Sequence, residues 1–124
     1  SIIFTSCLFG VRGGRENSAY SASKFGVIGL AQSLAAELAG AGIRVNSVCP
    51  GQVRTEMIDQ LIVDRATRTG VSELEVLAHL VGNVPMGRMA TPDEIAGVFV
   101  FLASDLSAYI TGQALVVDGG WQVG

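Results

Sequence analysis

The sequence predicts an α/β fold built on a parallel sheet, and three observations carry that prediction. Residues 1–6 and 43–49 are short runs rich in β-branched and apolar residues, and a longer helical stretch, 18–38, lies between them. A strand, a helix of that length and a second strand make a right-handed βαβ unit with its two strands parallel. A third run of the same kind, Gln113-Ala114-Leu115-Val116-Val117-Asp118, closes on Gly119-Gly120 after another helical stretch.

The first strand, 1–6, runs into a loop marked by Gly10, Gly13 and Gly14. Asn17 or Ser18 is expected to cap the helix that follows. That helix carries two stripes. Tyr20, Lys24, Val27, Ala31, Leu34 and Leu38 supply bulk for packing on a sheet. Ala22, Gly26, Gly29, Ser33, Ala36 and Gly40 repeat the same spacing about 200° round the axis. A glycine inside a helix costs ~1 kcal/mol relative to alanine, so the small stripe predicts a second helix packed close, from this subunit or another. Phe25 and Ile28 add apolar surface between the stripes, as in a helix covered on several sides.

Gly40-Ala41-Gly42 ends the helix, and the second strand, 43–49, stops at Pro50-Gly51. In open α/β sheets ligands bind beyond the carboxyl ends of the strands. Residues 53–85 read as a helical insertion, with one helix from Thr55 to Arg68, a break at Gly70 and a second helix from Ser72 to Val81. It forms either a lid over that end of the sheet or a helical hairpin packed on the body. Thr91-Pro92-Asp93-Glu94 starts a further helix with an N-cap, a proline at the first position and a capping box, and Ile95, Phe99 and Leu102 form its buried stripe. With no internal repeat, 1–124 is expected to be a single domain.

Among the 124 residues, 15% are charged, against ~25% in an ordinary soluble domain, and 49% are apolar. So apolar a surface is expected to be covered by another body, as in an oligomer. The net charge of −3 comes without any basic cluster, which argues against nucleic acid and anionic membrane as partners. No apolar run approaches the ~20 residues of a membrane span. Cys7 and Cys49 are too few for a disulfide framework, so a reducing cytoplasm is expected. The chain begins without Met and in the middle of a strand, as a piece of a longer protein would.

The chemistry centres on Ser18-Ala19-Tyr20-Ser21-Ala22-Ser23-Lys24. Residues four apart share a helix face. An ammonium one turn from a phenol favours the phenolate. That would bring Tyr20 toward a pKa at which it exchanges a proton with an alcohol or carbonyl. Around this pair stand the strand end at Ser6-Cys7, Gly10, Arg44-Val45-Asn46 to Pro50-Gly51, Thr55, and Ile110-Thr111-Gly112-Gln113 to Val117-Asp118-Gly119-Gly120. Together they resemble the second, catalytic half of a short-chain dehydrogenase/reductase, and the resemblance covers essentially the whole chain.

The resemblance implies half of a Rossmann-like, doubly wound parallel sheet and hydride transfer between NAD or NADP and a secondary alcohol or ketone. It implies that Tyr20 is the general acid/base and that Lys24 lowers its pKa and holds the nicotinamide ribose. Pro50, Gly51 and Val53 would lie along the nicotinamide, with Thr55 near the carboxamide or pyrophosphate. There are two departures from the family pattern. Cys7 stands thirteen residues before Tyr20, where the family has its catalytic serine. A thiol is a weaker hydrogen-bonding group, and Ser6, on the opposite face of the strand, is no substitute. Cys7 is then either a poorer substrate-orienting group or a small buried strand-end residue. The glycine-rich phosphate loop is also absent from these residues.

Asn17-Ser18-Ala19-Tyr20 and Val84-Pro85-Met86-Gly87-Arg88 resemble sugar-alcohol and small-diol dehydrogenases. The alternative is a half-length oligomeric protein without dehydrogenase turnover, an interaction module or a gene remnant. A lone His79 makes no metal site. Asp59, Asp64, Glu73 and Glu75 read as the solvated face of the insertion, and Asp118 as a structural hydrogen-bonding group. Trp121 either packs across a subunit interface or anchors the terminus.

Overall fold

The computed structural model describes residues 1–123. Three strands, β1 (Ile2–Thr5), β2 (Val45–Pro50) and β3 (Ala114–Val117), form a parallel sheet in the order β1-β2-β3. Ile3 pairs with Asn46 and Thr5 with Val48, while Ser47 pairs with Ala114 and Pro50 with Val117. The sequence starts the second strand two residues earlier. Arg44 is instead held at its foot, where the guanidinium donates to Ser107 Oγ at 2.9 Å and to the Ser104 carbonyl at 3.2 Å.

Alternation along β2 divides the core. Val45 packs with Ala31 and Ala35 of α1 (Ser18–Leu38), joined by Phe4, Leu34 and Leu38. Val48, on the other face, packs with Ile95 and Leu102 of α4 (Pro92–Ala103), joined by Ile3, Phe99 and Leu115. One helix thus covers each face of the sheet, and Val45 to Cys49 are all buried. Asn46, buried completely, is satisfied: its Nδ2 donates to the Ile110 carbonyl at 2.9 Å and its Oδ1 accepts from Gln113 N–H at 3.0 Å.

The bulky stripe of α1 meets the sheet at Ala31, Leu34 and Leu38, joined by Ala35, while Tyr20 at the start of that stripe is 46% exposed. The small stripe lies open: a Cβ added to Gly26, Gly29 or Gly40 would meet nothing within 4 Å. Neither predicted cap forms through a side chain. Asn17 Nδ2 donates to the Arg15 carbonyl, and the Asn17 carbonyl accepts from Ser21 N–H at 2.7 Å.

The insertion is two helices, α2 (Glu56–Thr69) and α3 (Glu73–Val81), with a core of their own made by Ile62, Ala66 and Val76 under Ile58, Leu77 and Leu80. Gly70 makes the turn between them at φ 72°, a left-handed conformation that favours glycine. The roots of this hairpin are tied together. Val53 bridges Ala90, Arg54 N–H donates to the Ala90 carbonyl at 2.8 Å, and Ala90 N–H donates to the Gln52 carbonyl at 2.9 Å.

Candidate active site

Past Thr5 the chain holds the sheet for one more residue, Ser6, whose N–H donates to the Val48 carbonyl at 2.8 Å. Ser6 is buried against α1 and its Oγ donates to the Lys24 carbonyl at 2.9 Å, so it is committed to packing, as its place opposite Cys7 in the alternation predicts. The chain then coils through a 3-10 turn, Leu8–Gly10. Gly10 allows the close approach to α1, since a Cβ there would run into Ser6 Oγ and stand 2.9 Å from the Lys24 carbonyl.

This turn, the first turn of α1, the end of β2 and the terminal segment surround a cavity of about 140 Å³. Cys7, Phe9, Tyr20, Gly51, Gln52 and Trp121 are among its walls. Lys24 Nζ lies 5.7 Å from the centroid of the Tyr20 ring and donates to the Thr5 carbonyl at 3.4 Å. The two residues therefore do share a face.

The expected electrostatics are corrected. The Tyr20 phenol sits above its ordinary value of 10.0, because of burial first, then hydrogen bonding with the Cys7 side chain, then the charge that Cys7 carries when ionised. The ammonium stands over the ring and beside the Thr5 carbonyl, and no hydrogen bond joins it to the phenol oxygen. Cys49, next to this site, is completely enclosed, and burial pushes its thiol up, offset in part by hydrogen bonding from Ser6.

The other sequence-predicted positions divide into two groups. Gly51 joins the cavity, and a Cβ on it would come within 2.8 Å of Asp118 Cα. Pro50 is the half-buried last residue of β2, paired with Val117. Val53 instead packs into the core beneath α4. Thr55 caps α2, its hydroxyl accepting from Ile58 N–H at 3.4 Å. Neither Val53 nor Thr55 lines the cavity that holds Cys7 and Tyr20; they stand on the hairpin's root.

Asp118 holds the terminal turn, accepting from Gly120 N–H at 2.9 Å and from Gln122 N–H at 2.7 Å. The turn brings Trp121 back over the cavity, edge-on to Phe9 with centroids 6.1 Å apart and planes at 73°. The Arg12 guanidinium lies 5.9 Å from the Trp121 ring. Phe9, Arg12 and Gln52 carry no sequence signal of their own, except that Gln52 directly follows Pro50-Gly51. His79 is exposed on α3, away from this cavity.

As a donor set, a phenol, an ammonium one helical turn below it and the open carboxyl ends of two strands suit a sugar hydroxyl and a flat ring. They fit the nicotinamide-ribose end of a dinucleotide.

Comparison with known proteins gives the family of this fold. The family model described as enoyl-(acyl carrier protein) reductase matches residues 1–122. An uncharacterized short-chain type dehydrogenase/reductase from Sinorhizobium fredii is 47% identical over 121 residues, covering 98% of this chain and 21% of that protein. L-rhamnose 1-dehydrogenase (NAD(P)(+)) from Sphingomonas sp. is 40% identical over 123 residues, covering 99% of this chain and 45% of the relative. The crystal structure of a short chain dehydrogenase family protein from Francisella tularensis superposes with a TM-score of 0.93 at 36% identity, covering 99% of this chain and 51% of that one. The chain belongs to the short-chain dehydrogenase/reductase family of oxidoreductases. It spans about half the length of these relatives, or less.

Proposed function

We propose that residues 1–124 are the catalytic half of an NAD(P)-dependent oxidoreductase that interconverts a secondary alcohol and a ketone of the polyol or small-diol class. The observation that carries this reading is the convergence of Cys7, Tyr20 and Gly51 on one open cavity at the carboxyl ends of β1 and β2, with the Lys24 ammonium beside the phenol ring.

Tyr20 is the proton-transfer group. With its pKa raised, the phenol stands protonated at neutral pH, the state that donates a proton to a ketone oxygen as it becomes an alcohol. Cys7 orients that oxygen from the opposite side through its thiol. Lys24 supplies a positive field and a ribose contact. Pro50, Gly51, Val53 and Thr55 flank the bound cofactor, the last two by way of the hairpin's root. The cofactor, NAD or NADP, supplies the hydride when bound. Its pyrophosphate is held by a glycine-rich loop that residues 1–124 do not contain, so these residues alone are inactive.

The hairpin 53–85 acts as a lid, a reading supported by its separate core and its paired roots. Self-association is supported by the open small-residue face of α1, with Phe25 at 47% and Leu30 at 50% exposure beside it, and by β1 lying at the edge of the sheet. Two free thiols suit a reducing cytoplasm, and no helix among the described residues is long and apolar enough to cross a membrane.

The test is NAD(P)-linked turnover of a panel of polyols and hydroxyketones by the protein together with the chain that flanks these residues, and by its Tyr20→Phe variant. The variant should lose at least ~100-fold in kcat with its thermal melting unchanged. Full turnover in Tyr20→Phe, or no binding of NAD(H) or NADP(H) at millimolar concentration, overturns the proposal.

A further inference from the structure

We propose that Arg12 and Trp121 form the recognition end of this cavity and select substrates that carry an anionic head, a carboxylate or a phosphate, away from the reacting carbon. The proposal rests on the oxidoreductase reading above and adds the class of substrate to it.

Trp121 lines the same cavity as Tyr20 and Cys7, so a substrate whose reacting carbon meets the phenol extends toward the indole. Arg12 sits at that indole, 5.9 Å from the ring, within the reach at which a guanidinium is held by an aromatic face. Its backbone is fixed as well, Arg12 N–H donating to the Leu8 carbonyl at 3.2 Å. Among the described residues its side chain makes no hydrogen bond or ion pair, as is also true of Arg65 and Arg68 on α2, but of these three only Arg12 lies against a wall of this cavity. A guanidinium against an aromatic ring keeps its in-plane N–H donors free, in the fork that matches a carboxylate or phosphate.

Nothing acidic competes for it at this end of the cavity. Asp118 has both oxygens engaged by main-chain N–H groups of the terminal turn. Glu16 is paired with Arg15 at 3.7 Å. The walls are otherwise aromatic, thiol, phenol and amide groups, with Lys24 as a second cation behind Tyr20. Neither cation lines the cavity itself, but Arg12 and Lys24 flank two of its walls with no carboxylate among the lining residues, and their field favours an anion there.

Trp121 is the single tryptophan of the 124 residues, which gives an optical readout independent of turnover. The experiment titrates the protein, with whatever chain flanks these residues and in saturating NAD or NADP, with two pairs of ketones. Acetoacetate is compared with its methyl ester, and dihydroxyacetone phosphate with dihydroxyacetone. Indole fluorescence is followed, with Trp121→Phe as the blank.

The anion of at least one pair should half-saturate the change at a concentration tenfold or more below its neutral partner, and the pair that responds says whether carboxylate or phosphate is preferred. Arg12→Gln should bring the two partners within twofold and raise KM for the anion without changing kcat, and Arg12→Lys should restore part of the preference. Equal responses to anion and neutral partner in the unmodified protein, no response to either, or a preference that survives Arg12→Gln overturns the proposal. A fluorescence preference in a protein that, in a separate assay with the same ketones, oxidises neither NADH nor NADPH would instead remove the oxidoreductase reading and leave the anion site standing.

Discussion

Cys7 decides how well Tyr20 is served. The thiol is a weak hydrogen-bonding group placed where an oxygen would bond more strongly, and it helps to raise the phenol's pKa. Cys7→Ser should therefore raise kcat by about fivefold, the worth of ~1 kcal/mol from one better hydrogen bond. It should also move the pH profile. Alcohol oxidation needs the phenolate, so its rate climbs with pH toward the phenol's pKa. Serine keeps a hydrogen bond to the phenol but does not ionise, so only the charge contribution of Cys7 to the raised pKa is lost and the climb shifts modestly to lower pH. Steady-state pH–rate profiles of the two proteins check both points, and an unchanged profile would mean that the thiol does not reach the phenol in the working enzyme. At this scale Tyr20, Lys24 and Cys7 were legible in the sequence, because helical spacing brings two of them together and a strand end presents the third. Phe9, Arg12, Gln52 and Trp121 were not. They meet only because the terminal turn folds back on the loop after β1, a tertiary event with no local pattern.

Among the elements, α4 has the start most completely written in the sequence. Thr91 Oγ accepts from Glu94 N–H at 3.3 Å, and Glu94 returns the bond to Thr91 N–H at 2.8 Å. Arg88 then grips both Glu94 oxygens, at 2.7 and 2.8 Å. Thr91→Ala should cost ~1 kcal/mol of stability by chemical denaturation. The carboxyl of Glu94 is drawn down to about 2, chiefly by the Arg88 hydrogen bonds and then by Thr91 N–H. A folded-state value below the unfolded one stabilises the fold above the ordinary carboxyl range. That contribution fades as pH falls from about 4.5 through about 2. Glu94→Gln should flatten this part of the stability–pH curve. The contrast with α1 is instructive. Its bounds, Ser18–Leu38, are readable, and so is the packing of Ala31, Leu34 and Leu38 on the sheet, but not the burial of Ser21 and Ile28 or the exposure of Tyr20. With Phe25 and Leu30 exposed and Ile28 and Ala31 buried, apolar residues ring the axis, and periodicity has no preferred side to report.

The whole molecule follows from its strand order. β2 is central and its carboxyl end faces the cavity, a placement readable from a βαβ unit whose second strand stops at Pro-Gly. What covers the open face of α1 is a matter for the assembled protein. A close helix–helix contact there would leave no room for a long side chain at Gly29, although the single chain has space for one. Gly29→Leu should lower self-association by tenfold or more in sedimentation experiments while keeping the helical circular dichroism. A variant that associates as strongly as the parent would place the contact elsewhere.

Val53 and Ala90 form a single backbone bridge at the hairpin's root. They close the neck of the hairpin, so the body meets the same two backbone anchors whatever helices hang beyond them. Cys7, Tyr20 and Lys24 belong to the body and owe their positions to β1, β2 and α1. A lineage could exchange the stretch between those anchors, longer or shorter, greasier or more charged, while Cys7, Tyr20 and Lys24 stay where they are.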